Sequence, residues 1–229
     1  RNGAGVVYGT GFVNATEINT GFLTTKGVDF ELNYQSDLSG WGLGDTGSLA
    51  FNLVGTYLTD LSTEPVPQNP LLRSVEQPYN CSGLFGLTCG TPNPKWRHKL
   101  RITWTTPWDV DFSAQWRYIG GTSLDSDTTN SLVGGDPTTS YTCANGQTIH
   151  GILDCPDAKI AAYDYFDLSG DWTVRQGIDL RAGVNNIFDV EPPVIGSQAL
   201  PLPVGNGNTF TGLYDSLGRT IFVAATIKY

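Results

Sequence analysis

The sequence has no methionine, few charged residues and no run approaching 18 consecutive apolar residues. The last point excludes a transmembrane helix. Lys and Arg together number 13 against 22 Asp and Glu, a net charge of −9. A nucleic-acid partner is therefore excluded, because neutralising a phosphate backbone takes clustered basic side chains. Charged residues make up 15% of the chain, below the roughly 25% of an average soluble domain. With no Met and no basic segment leading into an apolar one near Arg1, the chain reads as a processed or truncated product. Only two histidines occur. His98 falls on the apolar side of a strand pattern, and His150 lies in a loop near Cys155. No G-x-S-x-G elbow, H-E-x-x-H pair or phosphate-cradling glycine loop is present, so neither catalysis nor a cofactor is expected. Asp125, Asp127 and Asp136 near Asn130 open with the D-x-D of a calcium loop. The Gly at its sixth position and the Glu at its twelfth are missing, and no metal site is predicted.

What is present is aromatic and glycine-rich: 10 Tyr, 10 Phe, 6 Trp and 28 Gly. Helical periodicity is nearly absent, and alternation with period two recurs. Val28, Phe30, Leu32 and Tyr34 alternate with Asp29, Glu31, Asn33 and Gln35; Leu49, Phe51, Leu53 and Tyr57 alternate with Ala50, Asn52 and Thr56. Leu100, Ile102 and Trp104 oppose Lys99, Arg101 and Thr103, and Val110 to Tyr118 opposes Asp111 to Arg117. Phe166 to Val174 opposes Asp167 to Thr173, Ile178 to Val184 opposes Asp179 to Asn185, and Ile221 to Tyr229 opposes Thr220 to Lys228. Each of these strands has one apolar and one polar face. An eighth, glycine-weakened strand is conceivable around Val6 to Phe12.

The connections narrow the class. Short turns through Pro107–Asp109 and Arg175–Gly177 and a moderate one at Leu38–Thr46 alternate with long stretches at Leu61–Pro94, Thr122–Ile160 and Val190–Ser216. Three structureless loops of that size are uncommon in a compact soluble domain. Strands of about ten residues with short turns on one side and long loops on the other predict an antiparallel, all-β outer-membrane barrel segment of seven or eight strands. Trp96, Trp104, Trp108, Trp116, Tyr118, Tyr163, Tyr165 and Phe166 sit near strand ends, where aromatic girdles meet the lipid headgroups. The cysteines fall in two close pairs, Cys81 with Cys89 and Cys143 with Cys155. Four cysteines allow three connectivities, and proximity favours these two local bridges and an oxidising compartment.

The C-terminal third carries a family resemblance. Gly183-Val184-Asn185-Asn186-Ile187-Phe188-Asp189, then Pro192-Pro193, Tyr214-Asp215, Leu217-Gly218-Arg219 and a last strand ending in Tyr229 closely resemble the closing segment of TonB-dependent outer-membrane receptors. Thr25-Lys26-Gly27-Val28-Asp29-Phe30-Glu31-Leu32, Pro94 to Leu100 and Trp116 to Gly120 are similar to that family's earlier barrel strands. The resemblance implies that residues 1–229 are one C-terminal portion of the receptor barrel, without the TonB box, the plug or the earlier strands. It implies a Gram-negative outer membrane, and an intact protein that binds a scarce nutrient for import. Siderophore, vitamin or oligosaccharide are the candidate ligands, with energy reaching the missing plug from the TonB complex.

On this reading Ile221, Val223, Ala225, Ile227 and Tyr229 form the strand read by the barrel-assembly machinery, by β-augmentation. Asp29, Glu31, Lys99, Arg101, Asp111, Arg117, Asp167, Asp171, Asp179 and Arg181 face the lumen, where a polar lining is general for such barrels. Tyr79, Phe85, Tyr141, Phe210 and Tyr214 are the loop aromatics that either touch a ligand or pack the loops themselves. Two other architectures stay open: a small self-contained barrel acting as a pore or structural protein, and a secreted β-sandwich that binds carbohydrate.

Overall fold

The computed structural model describes residues 21–64, 78–150, 155, 157–196 and 208–228. Its strands are β1 (Phe22–Asp37), β2 (Ser48–Glu64), β3 (Tyr79–Asn80), β4 (Leu84–Phe85), β5 (Trp96–Thr105), β6 (Val110–Ile119) and β7 (Thr122–Leu124). There follow β8 (Ser140–Thr142), β9 (Thr148–His150), β10 (Lys159–Ile160), β11 (Tyr163–Arg175), β12 (Ile178–Asn185) and β13 (Thr220–Ile227). No α-helix occurs among the described residues; the only helical turns are three short 3-10 segments.

The long strands form one antiparallel sheet in the order β1-β2-β5-β6-β11-β12-β13, with β3 attached to β2. The sheet is open at β1 and β13 and constitutes part of a barrel wall. The seven strands expected from the alternation are these seven, although β1 and β2 run further toward the long-loop end than the apolar pattern alone indicates. The possible eighth strand near Val6–Phe12 and the terminal Tyr229 lie outside the described residues.

Register explains why the alternation is so regular. Tyr34 pairs with Phe51, Phe51 with Ile102, Ile102 with Ala114, Ala114 with Leu168, Leu168 with Val184 and Val184 with Ile221. A parallel row runs from Leu32 through Leu53, Leu100 and Trp116 to Phe166. A slip of one residue in any pair would turn a whole strand's apolar set to the polar side. The resulting apolar face is continuous and uncovered: Val223 is 78% exposed and Ile221 76%. A soluble monomer rarely leaves so broad an apolar patch in water. The β-sandwich expectation also fails here, since a sandwich needs a second sheet packed about 10 Å away on that face, and the described residues hold none.

Aromatic rings on the apolar face collect into two bands. Near the long-loop end, Phe30 stacks on Trp96 (centroids 5.2 Å apart), His98 meets Trp116 edge-on at 4.5 Å, Trp116 stacks on Phe166, and Phe166 meets Phe188. The tip of the Phe30 ring occupies the space above Gly55, where any Cβ would collide with it. At the short-turn end, Trp104 contacts both Trp108 and Phe112. Between them the face is mainly aliphatic, apart from the Tyr34–Phe51 pair. Tyr163 and Tyr165 do not belong to either band, contrary to expectation. Register puts Tyr165 opposite Arg117 on the polar face, and it is fully buried there.

Turn chemistry fits the short connections. Asp109 takes φ +58° between β5 and β6, and Gly177 takes φ +82° between β11 and β12, where a Cβ would stand 2.6 Å from the Lys228 carbonyl. The described parts of the long connections are not structureless but build a cap at their end of the sheet. β4 pairs in parallel with β7, β7 pairs with β10, and β8 and β9 form a hairpin. Both local disulfides are present, Cys81–Cys89 and Cys143–Cys155, with Cα–Cα distances of 5.4 and 5.8 Å. The main buried core lies in this cap: Phe85, Leu124, Ile160, Ile195, Phe210 and Tyr214 close over Ile119 and Tyr165 of the wall.

Candidate functional site

The polar face is where the charged side chains gather. All the positions expected to line a lumen share it. Asn33, Asn52, Arg101, Gln115 and Asp167 form one cross-strand row, and Glu31, Val54, Lys99, Arg117 and Tyr165 the next. Asp111, Asp171 and Arg181 lie in a third row toward the short turns, and Asp29 and Asp179 occupy the same face. Asn52 donates to Asn33, Arg101 donates to Gln115 at 2.8 Å, and Gln115 donates to Asp167 at 3.1 Å. Arg181 pairs with Asp171 at 3.5 Å, and Lys228 with Asp179 at 3.5 Å. These last pairs are well exposed, and such pairs add little stability each. They satisfy a wide polar surface.

One cluster is different. Near the cap, Arg117 donates from Nε to Asp167 at 2.7 Å and from Nη2 to its other oxygen at 2.9 Å, a bidentate fork. Its Nη1 donates to Asp215 at 2.9 Å, and its guanidinium lies 4.9 Å from the centre of the Tyr165 ring. Planar, bidentate recognition of two carboxylates is what distinguishes Arg from Lys. Asp167 also accepts the Asn186 backbone N–H at 2.9 Å. Asn186, fully buried at φ +53°, clasps Val190 through both its amide oxygen and its amide nitrogen, at 2.9 Å each. Asn tolerates that left-handed conformation better than most residues. The Asn-Asn-Ile-Phe-Asp stretch is thus a built corner where β12 leaves the wall.

Asp215 belongs to a strap, residues 208–216, that crosses the mouth of the polar face. Its own N–H donates to the Tyr165 hydroxyl at 3.4 Å. The strap divides the mouth into two cavities that share Arg117, Thr211, Tyr214 and Asp215. One, of about 530 Å³, lies against Thr56, Arg97, Lys99 and Arg117; the other, of about 440 Å³, lies against Gln115, Asp167 and Asn185. Burial pushes the Tyr214 phenol above the usual tyrosine range.

Buried carboxylates fasten the loops to one another. Asp125 accepts the N–H groups of Thr88 and Cys89 at 2.8 and 2.9 Å, which ties the Cys81–Cys89 loop to the segment after β7. Asp157 accepts the Gly196 N–H at 2.6 Å and so joins the second long loop to the third. Asp127 accepts the His150 N–H at 2.6 Å, and burial raises its carboxyl above the ordinary range. At the exposed Asp136, the Thr138 hydroxyl holds the carboxyl down to about 2. These aspartates are occupied by backbone donors, and no group of metal-ligating side chains exists among the described residues.

The loop aromatics separate into two groups. Phe85, Phe210 and Tyr214 are buried core residues of the cap, of which Tyr214 also borders the two cavities, whereas Tyr79 is half-buried and Tyr141 is exposed. Ile221, Val223, Ala225 and Ile227 lie together on the apolar face of β13. Sequence reading missed the partnership of Asp215 with Arg117, which lie 98 residues apart, and the corner role of Asn186. The Tyr214-Asp215 and Asn185-Asn186 dipeptides stood out, but nothing local revealed their partners.

The family described as TonB dependent receptor-like, beta-barrel, matches residues 2–187. Among solved structures, the chain is similar to a mutant of the ferric enterobactin receptor of Pseudomonas aeruginosa, at 13% identity and a TM-score of 0.49, covering 90% of this chain and 22% of that one. It is also similar to the ferric-catecholate import receptor Fiu of E. coli, at 12% identity and a TM-score of 0.38, covering 88% of this chain and 27% of that one. The chain therefore spans about a quarter or less of the length of these receptors. No curated protein matches it.

Proposed function

Since the chain belongs to the TonB-dependent receptor β-barrel family, we propose that it forms the C-terminal part of the barrel of an outer-membrane transport receptor. The family is one of transport receptors rather than enzymes. On this reading the apolar face meets lipid, the polar face lines the lumen, and the disulfide-stapled cap faces outward. A scarce nutrient (siderophore, vitamin or oligosaccharide) is captured at the cap and passed inward, driven through TonB acting on a plug. The strand bearing Ile221, Val223, Ala225, Ile227 and Tyr229 serves as the assembly signal, because its alternating apolar side chains suit β-augmentation.

The observation that carries this reading is the asymmetry of the sheet. One face is predominantly apolar, with aromatic bands near both ends, as a lipid-facing wall requires. The other is polar and closed over at one end only, by the converging long loops. Rigid walls that present folded loops at one end are where binding residues concentrate.

The test is cellular. In the native host, the intact protein should fractionate with the outer membrane. Loss of the receptor and loss of TonB should each abolish growth on the same limiting nutrient. Uptake that survives loss of TonB, or a protein recovered in the soluble fraction, overturns the proposal.

A further inference from the structure

The larger cavity beside the strap has a charge imbalance that nothing in the wall relieves. Lys99 stands directly opposite Arg117 in the β5–β6 pair, and like charges so placed repel. Arg117 is neutralised from its other side by Asp167 and Asp215. Lys99 has Val54 as its other neighbour, and Arg97 has Thr56 and Ile119. Neither Lys99 nor Arg97 makes an ion pair among the described residues. The nearest acidic groups in their rows, Asp29 and Glu31, lie two strands across, roughly 10 Å at ordinary strand spacing. Both are otherwise engaged: Asp29 accepts from Thr56 at 2.7 Å, and Glu31 accepts from Asn33 at 2.7 Å.

These three cations line one cavity of about 530 Å³ together with Thr56 and Tyr214. That volume falls in the range of small-molecule sites. The Tyr214 hydroxyl is buried and meets no hydrogen-bond partner, and a buried donor left unpaired is costly. At the edge of the cavity the chain supplies an anion of its own: both carboxylate oxygens of Asp215 sit on Arg117.

We infer that this cavity is a binding site for an oxyanion ligand bearing at least two carboxylate or phosphate groups, and that Asp215 is an internal stand-in which such a group displaces from Arg117. One incoming group sits between Lys99 and Arg97 and relieves the Lys99–Arg117 repulsion. Another replaces the Asp215 carboxylate, so the strap loses its ion pair to the wall as the ligand seats while Phe210 and Tyr214 keep it packed. The inference deepens the receptor reading and rests on it for access from outside.

The experiment is titration calorimetry on the intact polypeptide in detergent at low salt. The probe is propane-1,2,3-tricarboxylate, and raffinose is the neutral control. The tricarboxylate should bind, and raffinose should not. Arg97→Gln with Lys99→Gln should weaken binding at least tenfold without lowering the melting temperature, because the like-charge opposition is removed. Asp215→Asn should tighten it several-fold, since the competitor for Arg117 is gone. A merely structural Asp215 would leave affinity unchanged or lower, and that result overturns the inference, as does equal binding of raffinose. If the tricarboxylate fails to bind while uptake remains TonB-dependent, the anion site is wrong and the receptor reading stands. If it binds while uptake ignores TonB, the receptor reading is wrong and the site stands.

Discussion

The wall and the cap of this molecule are built on opposite rules. The wall is held by ladder hydrogen bonds and cross-strand pairs, and it leaves its large apolar side chains uncovered: Leu32, Leu168, Ile221 and Val223 are all exposed. The cap hides its apolar groups as a water-soluble domain does, with Phe85, Phe210 and Tyr214 buried. The cap also ties its segments together with two disulfides and the carboxylates of Asp125 and Asp157. The difference teaches which solvent each region answers to. An apolar surface needs no cover where lipid provides it, whereas a loop cluster facing water must make its own interior or remain open.

That contrast can be broken from either side, and the largest effect is expected in the cap. Phe85→Ala empties a fully buried site that packs edge-on against Phe210. Truncations of this kind cost about 3–5 kcal/mol. Amide exchange on the intact receptor should show the cap opening while the wall stays protected; equal deprotection of both would contradict their independence. Next comes the wall. Ile102→Arg places a charge in the middle of the aliphatic belt, where depth-dependent costs are about 2–4 kcal/mol. Refolding titrations into bilayers should show that loss, while Thr103→Arg, on the polar face one residue on, should refold normally. Equal penalties at the two positions would mean the faces are misassigned.

The smallest effect is a pH dependence confined to the cap side. The Arg219 backbone N–H, and then its guanidinium, hold the exposed Asp189 carboxyl below its usual range. A depressed carboxylate contributes stability at pH values above its unfolded pKa of about 3.9, and that contribution is lost as the pH falls through the folded value. Acidification below about pH 4 should therefore speed proteolysis between Asp189 and Arg219. Asp189→Asn should be nearly indifferent to pH across that window.

The wall was legible in the sequence because its information is local. Period-two alternation from Val28 to Tyr34, or from Val110 to Tyr118, states both the strand and its face. The short turn at Gln176–Gly177 states where the chain reverses. The failures mark where local pattern meets non-local structure. Tyr165 follows the alternation onto the polar face, yet its composition suggested a girdle residue, and only the cap explains its burial. Phe85 packs against Phe210 across more than a hundred residues of sequence, so no window contains the reason for their burial. Arg117 was legible as a polar-face cation. Its grip on Asp215 was not, because the strap arrives from the far end of the chain.

The parallel pairing of β4 with β7 imposes an order of events. Parallel neighbours require a crossover, and here the crossover is the β5–β6 hairpin itself. Leu84 and Phe85 cannot find Ser123 and Leu124 until that hairpin has closed, because an open chain must first meet the loop-closure entropy of the intervening segment. The β4–β7 pairing therefore follows the β5–β6 hairpin. A chain arrested before β7 would leave Leu84 and Phe85 without their parallel partner and the Cys81–Cys89 loop without its tie to Asp125.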